Sequence, residues 1–244
     1  MISEINGARL HYDITGEGEP LLWVHGFLGT GGDWKHIFNE PPAGFQLIAP
    51  DLRGHGSSTN PANTFSFRDT ARDVLALLRQ LGLQRVKAIG LSGGGITLLH
   101  MAVMEPDAVG AMVVVSAAPY FPDQARALQR QLSEAMLGEV EMDRMRRCHT
   151  QGEAQIQQLL TYGRAMADSY DDVSFTPSSL SEITAKTMIV FGDSDPLYPV
   201  SLAFELHAGI PRSSLWVVPG GGHGPIFGDH AARFSETALT FLRE

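Results

Sequence analysis

Ser92 lies in Gly90-Leu91-Ser92-Gly93-Gly94, directly after an apolar run, residues 86–91, and directly before a helix-like stretch, residues 96–104. A strand that feeds a helix through Gly-x-Ser-x-Gly constrains a fold severely. The chain must reverse so sharply that the backbone of the serine is strained, and a Cβ two residues to either side would collide with the adjoining strand or helix. Such a turn lifts the serine hydroxyl clear of a sheet, where it can attack a carbonyl. The same five residues also suit an ordinary Gly/Ser turn between a strand and a helix, so the surrounding pattern has to decide.

That pattern alternates strands with helices. Residues 2–5 and 10–15 are short alternating runs separated by Asn6-Gly7, which predicts an antiparallel hairpin. Residues 21–24 and 46–49 are continuous apolar runs, as in strands buried on both faces. Ala71, Val74, Leu75, Leu78 and Leu81 recur at helical spacing within 66–81, and Gly82 follows as a stop. A strand at 86–91, a helix at 94–104 and a strand at 111–116 come next. This alternation predicts a parallel sheet with right-handed crossovers. From 121 to about 183 no strand-like run occurs. Leu128, Leu132, Met136, Met142, Met145, Ile156, Leu159, Leu160 and Met166 recur there at helical intervals, which predicts three or four inserted helices. The sheet resumes at 187–191, followed by a helix at 200–207, a strand at 215–218 and a closing helix at 231–242.

A serine hydroxyl is a poor nucleophile until a base takes its proton, and the base needs a third group to orient it. Two late strands open into turns that carry titratable residues: Gly192-Asp193-Ser194-Asp195-Pro196, and Pro219-Gly220-Gly221-Gly222-His223-Gly224-Pro225. Strand ends are where open α/β sheets carry their sites. Among the histidines, only His223 follows the last strand in a glycine-rich turn. His25 and His55 lie in earlier loops, His100 falls in the helix after the serine, and His11, His36, His149, His207 and His230 match no motif. On position alone, both Asp193 and Asp195 could supply the acid.

Five blocks, in this order, resemble the α/β-hydrolase family: His25-Gly26-Phe27 after the strand at 21–24; Asp51-Leu52-Arg53-Gly54-His55-Gly56-Ser57-Ser58; Gly90 to Gly94; Gly192 to Pro196; and Gly222-His223. The resemblance runs from about Glu4 to the C-terminus and is weakest between Pro119 and Glu182. It implies an α/β-hydrolase fold, a mostly parallel eight-stranded sheet flanked by helices. The core domain would comprise residues 1–118 and 184–244, and residues 119–183 would form a helical cap over the serine. It also implies the chain order Ser, acid, His, with Ser92 as nucleophile and His223 as general base and later acid. The family's Gly-x-x-Asp, followed by Pro or a hydrophobic residue, selects Asp195 when counted from Gly192. Asp193 is then expected to be a turn residue bonding its own backbone. The backbone N–H groups of Phe27 and Gly93 would form the oxyanion hole, at about 3–4 kcal/mol per donor. His25 is expected to brace its loop, Arg53 and His55 to hold loops together, and Trp34 with the Phe27 ring to line the pocket.

The activity implied is that of a cofactor-independent serine hydrolase cleaving a carboxylic ester or lactone through an acyl-enzyme. In length and layout the chain is similar to small carboxylesterases and 3-oxoadipate enol-lactonases. His25-Gly26-Phe27-Leu28-Gly29 with Asp33-Trp34 also resembles the menaquinone-pathway synthase that eliminates pyruvate, although Arg53 stands where that group carries Pro. C–C bond hydrolases and cofactor-free perhydrolases share the same frame. Haloalkane dehalogenases differ in placing Asp at the elbow. A non-catalytic small-molecule receptor that keeps the pocket is the reading from another class, and turnover discriminates it.

Composition narrows the partners. The 244-residue chain is 43% hydrophobic and 18% charged, which describes an ordinary globular protein, and its net charge of −9 offers no basic face for nucleic acid or for anionic membrane. The single cysteine, Cys148, excludes an intramolecular disulfide. Residues 1–7 show no signal-peptide h-region and no apolar run reaches the length of a membrane span, so a cytoplasmic location is expected. The glycine-rich loops fit neither Gly-x-Gly-x-x-Gly nor a P-loop, and no His/Cys/Asp/Glu cluster has metal-ligand spacing. The expectation is no metal and no organic cofactor, with a small-molecule ester or lactone as the partner.

Overall fold

The computed structural model describes residues 1–244. Strands β1 (Ile2–Ile5) and β2 (Ala8–Gly16) form the expected hairpin. Asn6 and Gly7 turn it with φ of 47° and 78°, the left-handed pair that matches strand twist. Strand β3 (Glu19–Val24) shows why an uninterrupted apolar run suits this sheet. Leu22 and Val24 point into the core on one face, Leu21 and Trp23 into the core on the other. After β4 (Phe45–Pro50) comes α1 (Phe67–Gln80), whose first turn is capped by Ser66 Oγ accepting the Asp69 N–H at 3.0 Å. Then follow β5 (Val86–Leu91), α2 (Gly93–Met104) and β6 (Val109–Val115).

Between β6 and the next strand run α3 (Asp123–Arg130), α4 (Glu134–Leu137), α5 (Glu139–Cys148), α6 (Glu153–Ala165) and α7 (Pro177–Ser181). These are five helices rather than three or four, because α4 and α7 are too short to display a period in the sequence. The segment leaves and rejoins the sheet layer through a narrow neck. Tyr120 bridges Ser174, and the Phe175 N–H donates to Pro119 O at 2.8 Å. Met142, Met145, Ile156, Leu159 and Leu160 form a small core of its own, joined by Leu28 from the loop after β3. Beyond the neck, Leu180 and Ile183 belong to the main core beside α8 (Ser201–Gly209). The chain closes with β7 (Lys186–Gly192) before α8, and with β8 (Ser213–Val218) and α9 (Ala231–Arg243) after it.

The eight strands lie in the order β1-β2-β4-β3-β5-β6-β7-β8. Only the β1·β2 and β2·β4 pairs are antiparallel. Helices α1, α2 and α8 cover one face, and α9 with Trp34 covers the other. The chain steps outward from β3 to β4, then returns to lay β5 on the other side of β3. The carboxyl ends of β3 and β5 therefore flank the point where strand order reverses, which is where an open sheet leaves a crevice. No helix is long and apolar enough to cross a membrane.

Candidate active site

Ser92 leaves β5 with φ 51° and ψ −115°, a conformation that non-glycine residues rarely hold and that costs on the order of 1–3 kcal/mol. The surroundings enforce it. The Ser92 N–H donates to Val115 O at 2.7 Å, and its carbonyl accepts the Ile96 N–H at 2.9 Å to start α2. A Cβ on Gly90 would sit 2.6 Å from Gly94 O, and one on Gly94 would sit 2.0 Å from Val24 O. Only glycines let β3, β5 and α2 approach this closely.

The turn after β8 brings His223 Nε2 to 2.8 Å from Ser92 Oγ, and His223 Nδ1 lies 2.8 Å from Asp195 Oδ2 in the turn after β7. A carboxylate only accepts, so Nδ1 carries the hydrogen and the neutral ring presents a bare Nε2 to the serine hydroxyl. The carboxylate of Asp195 has 0% exposure against 24% for the imidazole. Its other oxygen accepts the N–H groups of Leu197 at 2.8 Å and Tyr198 at 3.1 Å, which fixes its plane. The turn chemistry expected of Asp193 thus belongs to Asp195. Asp193 instead reaches across to the glycine turn, where its Oδ1 accepts the Gly220 N–H at 2.7 Å. The two turns pack so closely that a Cβ on Gly192 would meet Gly221 O at 2.1 Å. Ser116, at the end of β6, completes the bracing by accepting the Gly224 N–H at 3.1 Å.

Two backbone donors lie next to the serine turn. Gly93 opens α2, where helix geometry leaves its N–H without an intrahelical partner. The Phe27 N–H donates to no group in the chain. The two lie side by side, since a Cβ on Gly93 would be 3.3 Å from Phe27 N. His25 holds this loop. Its Nδ1–H donates to Gly26 O at 2.7 Å, and its Nε2 accepts the Leu52 N–H at 3.0 Å. Arg53 and His55 tie the neighbouring loop: Arg53 forms a buried fork on Asp73 of α1 at 2.6 and 2.8 Å, and His55 Nδ1 donates to Arg53 O at 3.0 Å.

The inserted helices reach the same loop through a contact the sequence did not announce. Leu28 has φ 68°, and its carbonyl accepts from Arg144 Nη2 at 3.0 Å and from His149 Nε2 at 3.1 Å. His149 Nδ1 in turn accepts the Gly56 N–H at 2.9 Å. Burial lowers the pKa of His149 to about 4, and burial also holds His25 and His55 below the ordinary histidine range. These rings are therefore neutral struts. Nothing in the sequence around His149 sets it apart from an exposed helix-end histidine.

A cavity of ≈ 400 Å³ opens from Ser92. Phe27 and Phe67 line it from the sheet layer, and Phe121, Leu132, Met136 and Met166 from the insertion. No Asp, Glu, Lys or Arg lines it. Trp34 does not take part. It is buried with Trp23 and Phe38 on the opposite face of the sheet, because its short 3-10 turn packs against β3 and β4. A second, polar groove of ≈ 600 Å³, lined in part by Asp33, His36, Glu141 and Arg144, meets the other side of His223. Arg144 is already engaged there, pairing with Glu141 at 2.6 Å and lying 3.8 Å from Asp33. No group of three or more His, Cys, Asp or Glu side chains is gathered as metal ligands would be.

The family model described as "alpha/beta hydrolase fold" matches residues 19–144. The chain belongs to this family. Its relatives include the human serine hydrolase BPHL, 28% identical over an alignment of 258 positions that covers 98% of this chain and 84% of that protein. A soluble epoxide hydrolase of Corynebacterium sp. (strain C12) is 36% identical over a shorter stretch of 115 residues, 47% of this chain and 40% of that one. Among solved structures, the enol-lactonase of Burkholderia xenovorans LB400 superposes with a TM-score of 0.79 over 100% of both chains at 19% identity, a likeness of fold. The family is one of hydrolases, and the alpha/beta hydrolase fold accounts for the eight-stranded, mostly parallel sheet and its flanking helices.

Proposed function

We propose that the protein is a serine hydrolase that cleaves a neutral carboxylic ester or lactone through an acyl-enzyme, without a cofactor. The observation that carries the reading is the chain of contacts from Asp195 through His223 to Ser92, both links at 2.8 Å. His223 Nε2 takes the proton as Ser92 Oγ bonds to the substrate carbonyl carbon. The oxygen that becomes negative is received by the N–H groups of Phe27 and Gly93. Asp195 keeps the imidazole in the required tautomer and stabilises the imidazolium. The imidazolium then protonates the departing alkoxide as the carbonyl re-forms. A water, deprotonated by the same His223, attacks the acyl-enzyme and returns Ser92 to its starting state.

The cavity supports the substrate class. An acyl group bound next to Ser92 and Gly93 enters a space with no counter-ion for a carboxylate. The leaving group departs beside His223, where the polar groove begins. The inserted helices α3 to α6 act as a cap that covers the serine and shapes the acyl pocket. A graded series of p-nitrophenyl acyl esters, run beside an uncharged and a carboxylate-bearing lactone, tests the proposal. Turnover of the neutral substrates, and little of the anionic one, is expected. Failure on every ester and lactone, with tight binding retained, would favour a receptor, and cleavage of a C–C bond would favour that alternative.

A further inference from the structure

Apart from Ser92 and His223, only Gln129 and Tyr198 among the residues lining the acyl cavity carry a side-chain nitrogen or oxygen. Neither side chain makes a hydrogen bond within the chain. The Gln129 carboxamide oxygen is shut off from solvent and has no hydrogen-bond partner. The Tyr198 ring stacks on Phe121 and meets His223 edge-on with centroids 5.3 Å apart, while its hydroxyl bonds to nothing in the chain. Burial and the nearby Asp195 charge push the phenol up, so it keeps its proton and stays a donor. The two residues stand on walls fastened to each other. Gln124 of α3 donates through Nε2 to Pro196 O and Leu197 O, each at 3.2 Å, which holds the helix bearing Gln129 against the turn bearing Tyr198.

Buried polar groups in folded proteins are overwhelmingly paired, and leaving one unpaired is costly. The Gln129 oxygen is one such group, and the Tyr198 phenol, free of any partner in the chain, stands in the same otherwise apolar wall; together they point to a ligand that pairs them. Resting on the ester-hydrolase reading, we propose that Gln129 and Tyr198 are specificity residues. They select a substrate whose acyl part carries a neutral hydrogen-bonding group, a carboxamide or a hydroxyl, a few bonds from the scissile carbonyl. A carboxamide side chain both donates and accepts, as does a phenol, so the pair matches a group that does the same. The absence of charged side chains from the lining separates this group from a carboxylate or an ammonium.

The test compares p-nitrophenyl hexanoate with p-nitrophenyl N-acetyl-β-alaninate, whose acyl chain has the same length but contains an amide. Rates are normalised to each ester's alkaline hydrolysis. The native protein should prefer the amide ester in kcat/KM. Gln129→Leu should lower the amide-to-alkyl ratio roughly tenfold, and Tyr198→Phe, which keeps the ring, should lower it several-fold. Binding of the same two esters to Ser92→Ala, which needs no turnover, should show the same preference and lose it in Ser92→Ala/Gln129→Leu. An amide preference in binding with no hydrolysis by the native protein would sink the ester-hydrolase reading and leave this inference standing. Hydrolysis of both esters with a ratio that neither variant moves would overturn the inference and leave the hydrolase reading intact.

Discussion

The sheet and the inserted helices place side chains by different means. Each strand of the central sheet is fixed on both faces, so that Leu21 and Leu22 enter opposite cores. The turns at its carboxyl edge inherit that rigidity. Ser92, Asp195 and His223 all come from such turns, separated in the chain yet linked at 2.8 Å. The inserted helices supply no atom to that chain of contacts. They contribute Leu132, Met136 and Met166 to the cavity, and Arg144 and His149 as struts on the Leu28 carbonyl. On the proposed reading, reaction chemistry resides in the sheet's edge, and selectivity resides mainly in the insertion with Tyr198 as the sheet-edge contribution.

The strongest challenge to this division lies in the sheet-edge residues. His223→Ala is expected to lower kcat on the order of 10⁶-fold, and Asp195→Asn about 10⁴-fold, with the circular dichroism spectrum preserved. Asp193→Asn, which weakens only a turn contact to Gly220, should cost less than about tenfold because it touches no reacting atom. Similar losses in the two aspartate variants, measured with one ester, would break the assignment of the acid.

The insertion should respond differently. Leu132→Trp fills part of the cavity and should move the optimum of an acyl-chain series toward shorter chains. The change in discrimination between neighbouring chain lengths is expected to be roughly tenfold. A uniform loss across the series would mean that the insertion governs chemistry as well as selectivity.

An effect of another kind, spread over the molecule and not tied to turnover, is on stability in acid. Burial lowers His149 and His100 to about 4, against about 6.5 for an unfolded histidine. Between those values the unfolded chain binds protons that the folded chain refuses. The stability linked to these residues is therefore complete above about pH 6.5 and declines as pH falls toward about 4, at about 1.4 kcal/mol per pH unit for each histidine. His25 and His55, also depressed by burial, act with the same sign. Urea midpoints measured across this range should fall with pH. A flat profile would show that these rings are not buried neutral struts.

What could be read in the sequence follows the same boundary. Continuous apolar runs and glycine-rich turns are local signals, so the strands, the Ser92 turn and the two late turns were legible. Spacing in the insertion revealed helices, but a period does not tell which face looks inward, and α4 and α7 have too few residues to show one. Gln129 looks in the sequence like any polar helix residue, yet it lines the cavity and its buried oxygen has no partner. Trp34 illustrates the converse: its place beside the His25 loop suggested a pocket wall, yet the side chain packs beneath the sheet. The family's Gly-x-x-Asp singled out Asp195, but the bond of Asp193 to Gly220 depended on a partner loop far along the chain, which no local pattern encodes.

The central claim is that His223 makes Ser92 nucleophilic. Treatment with a fluorophosphonate, followed by peptide mapping in a mass spectrometer, tests it directly. A single adduct on Ser92 is expected, absent in Ser92→Ala and formed far more slowly in His223→Ala. Labelling at the native rate in His223→Ala, or an adduct elsewhere with Ser92 untouched, would contradict it.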